Sequence, residues 1–253
     1  MHVAAIQHTI EWEDPETTFE IVRPMIVAAK AAGAQLVALT EMYSTGFSMA
    51  PERVAEQVGG PSCGFLLEMA AANDITVVAS VPTHHPDYER PVNLLTVAGP
   101  TGVLGQYAKI HPFSYAGEDD HYSPGTSFFT LEIHGVRCTF FICYDLRFAD
   151  EFWATAAETD VYVVIANWPA ARRLHWDTLL RARAIENQAF VLAVNRVGQD
   201  GNSLDYSGGS TLIDPLGETL AMASTDPALV LGEVDPARVA EVRALFPFAD
   251  DRR

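Results

Sequence analysis

The chain alternates short, continuously apolar runs with stretches whose apolar positions recur at helical spacing. Val3 to Ile6, Gln35 to Leu39, Thr76 to Val81, Asn93 to Ala98, Val136 to Ile142, Val161 to Ala166 and Phe190 to Val194 predict strands. Several are apolar at consecutive positions, which predicts strands covered on both faces. Between them Phe19, Val22, Ile26 and Ala29 share one helical face, opened by Asp14-Pro15 and stopped at Gly33. Phe65, Leu66 and Met69 repeat that period, as do Trp176, Leu179, Leu180 and Ala184. Farther on, Thr211 to Glu218 reads as two short strands around a Pro/Gly turn, followed by a strand at Ala228 to Val234. Asp235-Pro236 then opens a last helix with Val239, Val242 and Leu245 on one side. Strands alternating with helices and closing in hairpins predict an α/β fold with mixed sheets.

Composition narrows the class. No repeat, low-complexity tract or linker-like run divides the 253 residues, so one domain over 1–253 is expected. A formal net charge of −17 opposes nucleic acid and anionic membrane surfaces, since phosphate recognition needs clustered Lys and Arg. Residues 1–14 show no secretory pattern, and no apolar run approaches the ~18 residues of a membrane span. The three cysteines, Cys63, Cys138 and Cys143, form no CxxC pair, and free thiols suit a reducing compartment. Cys138 and Cys143 are an odd number of positions apart, so their side chains leave a strand on opposite faces. A cytoplasmic location is the expectation.

The chemistry concentrates at strand ends. No dinucleotide or phosphate loop, zinc-type Cys/His spacing or nucleophile elbow is present, and no metal or organic cofactor is implied. His84-His85 reads as solvated surface. In Thr139-Phe-Phe-Ile-Cys-Tyr-Asp-Leu-Arg-Phe148 an apolar strand stops at Cys143, with a helix starting near Asp150, which places a thiol at a carboxyl end where an α/β sheet exposes a nucleophile. Cys138, inside the same strand, reads as inert core. Glu41 ends another apolar run, and Lys109 in Gly105-Gln-Tyr-Ala-Lys-Ile-His111 ends a third. Each alone reads as a solvated loop charge. Together they offer a nucleophile, a base and a cation.

In that order, with Cys143-Tyr-Asp-Leu-Arg-Phe148, Ala166-Asn-Trp-Pro169, Arg181-Ala-Arg-Ala-Ile-Glu-Asn-Gln188 and Asp214-Pro-Leu-Gly217, the chain resembles the nitrilase (carbon–nitrogen hydrolase) superfamily over essentially its whole length. The resemblance implies a four-layer α-β-β-α sandwich that pairs into a homodimer, and a Glu41–Lys109–Cys143 triad. It also implies a second glutamate, for which Glu118 stands at the matching distance from Ser123-Pro-Gly125. By the family's chemistry Cys143 attacks as thiolate, Glu41 takes its proton, and Lys109 with the backbone N–H of Tyr144 holds the oxyanion. The Cys-Tyr-Asp-Leu-Arg-Phe and Ala-Asn-Trp-Pro segments resemble the omega-amidase branch, which acts on short 2-oxo-dicarboxylate monoamides. Arg147 is then a candidate for the substrate's far carboxylate, its alternative being a salt bridge with Asp145, Asp150 or Glu151. Tyr43, Phe113 and Trp168 are expected as the apolar wall. Asp145 reads as orienting the loop after the nucleophile or as a simple turn cap. Arg181, Arg183 and Glu186 read as structural. A nitrile, an N-carbamoyl amino acid or deamidated glutathione remain alternative substrates. A Cys-His hydrolase using His111, His121 or His175, or a silent interaction module, are the alternatives of other kinds.

Overall fold

The computed structural model describes residues 1–252. In chain order its strands are β1 (His2–Gln7), β2 (Leu36–Ala38), β3 (Glu56–Gln57), β4 (Thr76–His84), β5 (Val92–Gly99), β6 (Gly102–Ala108), β7 (Thr130–Ile133), β8 (Val136–Ile142), β9 (Val161–Ala166), β10 (Phe190–Asn195), β11 (Val197–Gln199), β12 (Asp205–Ser207), β13 (Thr211–Ile213), β14 (Thr219–Met222) and β15 (Ala228–Glu233). The helices are α1 (Pro15–Ala31), α2 (Pro51–Val54), α3 (Pro61–Asn73), α4 (Glu118–His121), α5 (Ala149–Thr155), α6 (Arg173–Asn187) and α7 (Pro236–Leu245).

Two mixed sheets share one plan. The first runs β15-β1-β2-β4-β5-β6 with β3 on β4, and the second runs β14-β13-β10-β9-β8-β7. In each, three adjacent strands are parallel: β1, β2 and β4 in one, β8, β9 and β10 in the other. Antiparallel neighbours flank both sets. Inner faces meet in a core joining Val3, Leu36, Val78 and Leu95 of the first sheet to side chains of β8, β9 and β10. The outer face of the first sheet packs Ala4, Ile6, Val37 and Val77 against Val22 and Ile26 of α1 and Leu66 and Met69 of α3. Trp176, Leu180 and Ala184 of α6 and Phe152 of α5 join the core beside the second sheet, which completes the α-β-β-α sandwich.

Local signals are used as the sequence predicts. Asp14 accepts from the Thr17 backbone N–H at 3.1 Å to cap α1 with Pro15 in its first turn, and Asp235 accepts from the Ala237 N–H at 2.9 Å to cap α7. The Asp214–Gly217 turn joins β13 to a strand that begins at Thr219, one residue past the predicted run, because Asp214 Oδ1 accepts from the N–H groups of Leu216 and Glu218. Leu245 does not share the buried side of α7: it is 80% exposed, while Val239 and Val242 are buried.

Candidate active site

The carboxyl ends of strands from both sheets meet, and polar side chains collect there. Glu41 lies three residues past β2, Lys109 directly follows β6, Cys143 directly follows β8 and Asn167 directly follows β9. Lys109 is buried between two carboxylates, its Nζ donating to Glu41 Oε1 at 2.8 Å and to Glu118 Oε2 at 2.7 Å. Asn93 Nδ2 bridges the same two acids, at 2.8 Å to Glu41 and 3.3 Å to Glu118. The other oxygen of Glu41 accepts from the Asn167 N–H at 2.9 Å, and Asn167 Nδ2 donates to the Glu41 carbonyl at 2.7 Å. A carboxylate held on both oxygens and at its own backbone has one orientation. Glu118 opens α4 and also accepts from the Phe113 N–H, so one acid fixes both the lysine and a cleft loop. Gly125 donates to the Lys109 carbonyl at 2.7 Å, and a Cβ there would meet Ala108 O at 2.1 Å, which admits only glycine.

Cys143 sits at φ +47°, a conformation that L-residues avoid. Its turn, residues Cys143–Arg147, is held from several sides. Buried Asp145 accepts from Ile142 N–H at 2.9 Å, Tyr107 Oη at 2.8 Å and His111 N–H at 3.0 Å. Arg183 Nε and Nη2 donate to the Leu146 carbonyl at 3.1 and 2.7 Å, while its Nη1 reaches Glu186 at 2.8 Å. Asp145 and Arg183 therefore support the turn from opposite sides. The Cys143 thiol donates to the Asn167 carbonyl at 3.9 Å. His111 and His175 are engaged elsewhere, with Asp145 and with Arg147.

Electrostatics bears on how the nucleophile is activated. Burial, reinforced by Glu41, pushes the Cys143 thiol well above its ordinary pKa despite the opposing pull of Lys109. Both influences favour the protonated sulfur, which suits Glu41 as the acceptor of its proton during attack. Burial works against the Lys109 ammonium, yet Glu118 and then Glu41 outweigh it and raise its pKa. Burial also raises Glu118.

Above the thiol opens a cleft of about 60 Å³ whose lining includes Phe47, Phe113, Tyr144, Arg147, Trp168 and Arg172. Tyr43 is absent from it, which corrects the expected wall. Met42 at φ +39° redirects the chain, and Tyr43 stacks with Phe19 and Phe65 in the outer layer while its hydroxyl donates to Ser62 O at 2.8 Å. Among the described residues Arg147 pairs with none of Asp145, Asp150 and Glu151. Asp145 is taken by the donors above, and Glu151 faces His111 at 3.5 Å. The Arg147 guanidinium instead lies 4.9 Å from the Trp168 ring centroid. Asn93, Asn167, Phe47 and Arg172 are site residues that sequence reasoning missed. Two of them carried a signal: Asn93 is a polar residue near the start of a largely apolar strand, and Asn167 lies within the Ala166-Asn-Trp-Pro169 segment.

A buried thiol facing a carboxylate and an ammonium on this sandwich defines the thiol hydrolases of carbon–nitrogen bonds. The carbon-nitrogen hydrolase family model matches residues 2–244, and the chain belongs to that family. It is 34% identical to the omega-amidase YafV of Yersinia enterocolitica, over 99% of this chain and 96% of that one. It is 30% identical to the 2-oxoglutaramate amidase of Bacillus subtilis, over 99% and 97%. Among solved structures, the CN-hydrolase superfamily protein of Xanthomonas campestris superposes with TM-score 0.91 at 34% identity, covering 100% of this chain and 97% of that one. Nit3 of Saccharomyces cerevisiae, with TM-score 0.89 and 24% identity over 100% and 96%, shares the fold. The protein is a hydrolase acting on carbon–nitrogen bonds other than peptide bonds. No helix among the described residues is long and apolar enough to cross a membrane.

Proposed function

We propose that this protein is an omega-amidase, hydrolysing the terminal amide of a short carboxylate-bearing chain to an acid and ammonia. The observation that carries the reading is Arg147: a guanidinium in the same small cleft as Cys143, with no protein carboxylate to hold it among the described residues. Guanidinium matches carboxylate through two parallel hydrogen bonds. A cleft of about 60 Å³ suits a chain of few atoms rather than a drug-sized ligand. The names of the relatives support the same substrate class.

In the proposed mechanism Cys143 Sγ attacks the amide carbon as Glu41 takes the thiol proton, and the carbonyl π electrons move to oxygen. The opening N–H groups of a helical turn have no partner within it, and that of Tyr144 joins the Lys109 ammonium in holding the oxyanion. Collapse breaks the C–N bond, Glu41 returns the proton to the nitrogen, and ammonia leaves a thioester. Water, deprotonated by Glu41, then attacks the thioester and releases the acid and the thiol. Lys109 stays an ammonium throughout, because two carboxylates neutralise it. Glu118 and Asn93 position the lysine and the base.

Ammonia release from 2-oxoglutaramate, succinamate, glutamine, hexanamide and an aliphatic nitrile, measured in parallel, tests the reading. The dicarboxylate monoamides are expected to be fastest, with Cys143→Ala silent on all. Faster turnover of the nitrile, or of an N-carbamoyl amino acid or deamidated glutathione added to the panel, would overturn it. Pairing into a homodimer and a cytoplasmic setting complete the proposal. Three unpaired cysteines support the second, and light scattering tests the first.

A further inference from the structure

Arg147 is not the only cation at the cleft. Arg172, in the turn between Pro169 and α6, also lines it. The chain carries 33 acidic against 16 basic residues, and several of its cations are held by a carboxylate, Arg23 by Glu68, Arg53 by Glu13, Arg137 by Asp160 and Arg173, next to Arg172, by Asp177. Among the described residues Arg147 and Arg172 have no carboxylate within ion-pair distance. Two guanidiniums left without anions beside one small cavity, in a strongly acidic protein, call for an anion from outside.

Their supports are linked. The Arg147 guanidinium lies 4.9 Å from the Trp168 ring centroid and that of Arg172 lies 5.3 Å from the Phe113 ring centroid, each on an aromatic wall. Trp168 Nε1 donates to the Arg172 carbonyl at 2.9 Å, so the wall beneath one arginine also anchors the backbone of the other. His175 Nδ1, 3.2 Å from Arg147 Nη2, occupies only one of that guanidinium's five donors.

A lone carboxylate is satisfied by one bidentate guanidinium, which leaves the second arginine without a task. A 2-oxo acid offers more: two carboxylate oxygens and an adjacent ketone oxygen. A 2-amino acid presents an ammonium at that same position, which two guanidiniums repel. We propose that Arg172 is a specificity residue that, together with Arg147, grips the 2-oxo acid end of the substrate, selecting 2-oxo monoamides over the matching 2-methylene and 2-amino compounds. The inference rests on the omega-amidase reading and deepens it by assigning the group that reads the 2-position.

The experiment measures kcat and KM for 2-oxoglutaramate, glutaramate and glutamine in the native protein, Arg172→Ala and Arg172→Lys. These amides share chain length and differ at the 2-position. In Arg172→Ala, KM for 2-oxoglutaramate is expected to rise at least tenfold and that for glutaramate less than threefold, with kcat falling less than twofold on either. The preference for the oxo compound over glutamine narrows in step. Arg172→Lys keeps the charge without the fork and recovers carboxylate attraction but not the oxo preference. Equal KM changes for 2-oxoglutaramate and glutaramate, or none for either, would overturn the assignment, as would a loss confined to kcat. Failure of the parent reading looks different: the native protein would then show no preference for either monoamide over hexanamide.

Discussion

The Cys143 thiol separates access from acidity. All three cysteines are buried, but only Cys143 lines the cleft. Iodoacetamide is therefore expected to label Cys143 before Cys63 or Cys138. Because burial and Glu41 hold it protonated, the labelling rate should climb steadily from pH 7 to 9 rather than plateau. A rate already flat at pH 7 would show a resting thiolate and overturn this assignment. Peptide mapping by mass spectrometry reads both outcomes. His8 supplies a second residue-level test, in stability. Its side chain is fully buried, with Nδ1 donating to Thr9 O at 2.8 Å and Nε2 accepting from Thr40 Oγ1 at 3.1 Å, directly before Glu41 in the chain. Burial, aided by nearby Arg196, lowers its pKa from 6.5 to about 4. The folded state holds the neutral ring, so its contribution is complete above pH 6.5 and lost as pH falls from 6.5 to 4. A shift of that size is worth about 3 kcal/mol. His8→Gln is expected to flatten this part of the acid-unfolding profile, followed by urea denaturation at each pH. An unchanged slope would mean that His8 titrates normally.

At the scale of elements, the turn Cys143–Arg147 is the part most exposed to disturbance, since it carries a left-handed non-glycine residue and contributes no long ladder of its own. Asp145 faces donors only, from Ile142, Tyr107 and His111. In Asp145→Asn the amide NH2 has to point at one of them, which costs roughly 2 kcal/mol for the group left unsatisfied. We expect kcat to fall at least tenfold with a drop of a few degrees in Tm, and KM to rise by less than kcat falls, because Asp145 itself does not line the cleft although Tyr144 and Arg147 of the same turn do. A KM effect equal to the kcat effect would assign Asp145 to substrate binding instead. The same element shows why the sequence was readable here: the apolar run of β8 has to end where polar residues begin, and Cys143 marks that boundary. Tyr43 was misplaced because position past a strand end does not encode direction, and the backbone at Met42 turns it outward. The environment of the Cys143 thiol was only partly legible for a related reason. Lys109 and the turn's N–H groups were weighed, while burial and a second carboxylate only become apparent in three dimensions.

Across the whole molecule, the strands covered on both faces were legible because continuous apolar runs report burial. The edge strand β6 and the separate β11–β12 hairpin were not: β6 begins with half-exposed and exposed positions, and the hairpin is too short and polar to announce itself. Arg172 escaped notice because Arg172-Arg173 at a helix start reads as solvated charge, and only the fold shows that Arg173 pairs with Asp177 while its neighbour faces the cleft. The two sheets also divide the chemistry between them. Glu41 and Lys109 follow strands of one, Cys143 and Asn167 follow strands of the other, and the exposed Thr126–Phe128 stretch runs between β6 and β7. Neither half therefore holds base and nucleophile together. Cut at that stretch, the gene should yield two fragments that are each silent but recover amidase activity when coexpressed, with the reassembled core acting as the adaptor. Ammonia release that appears only in the paired fragments would make the protein a split reporter, in which turnover reads out association of its halves.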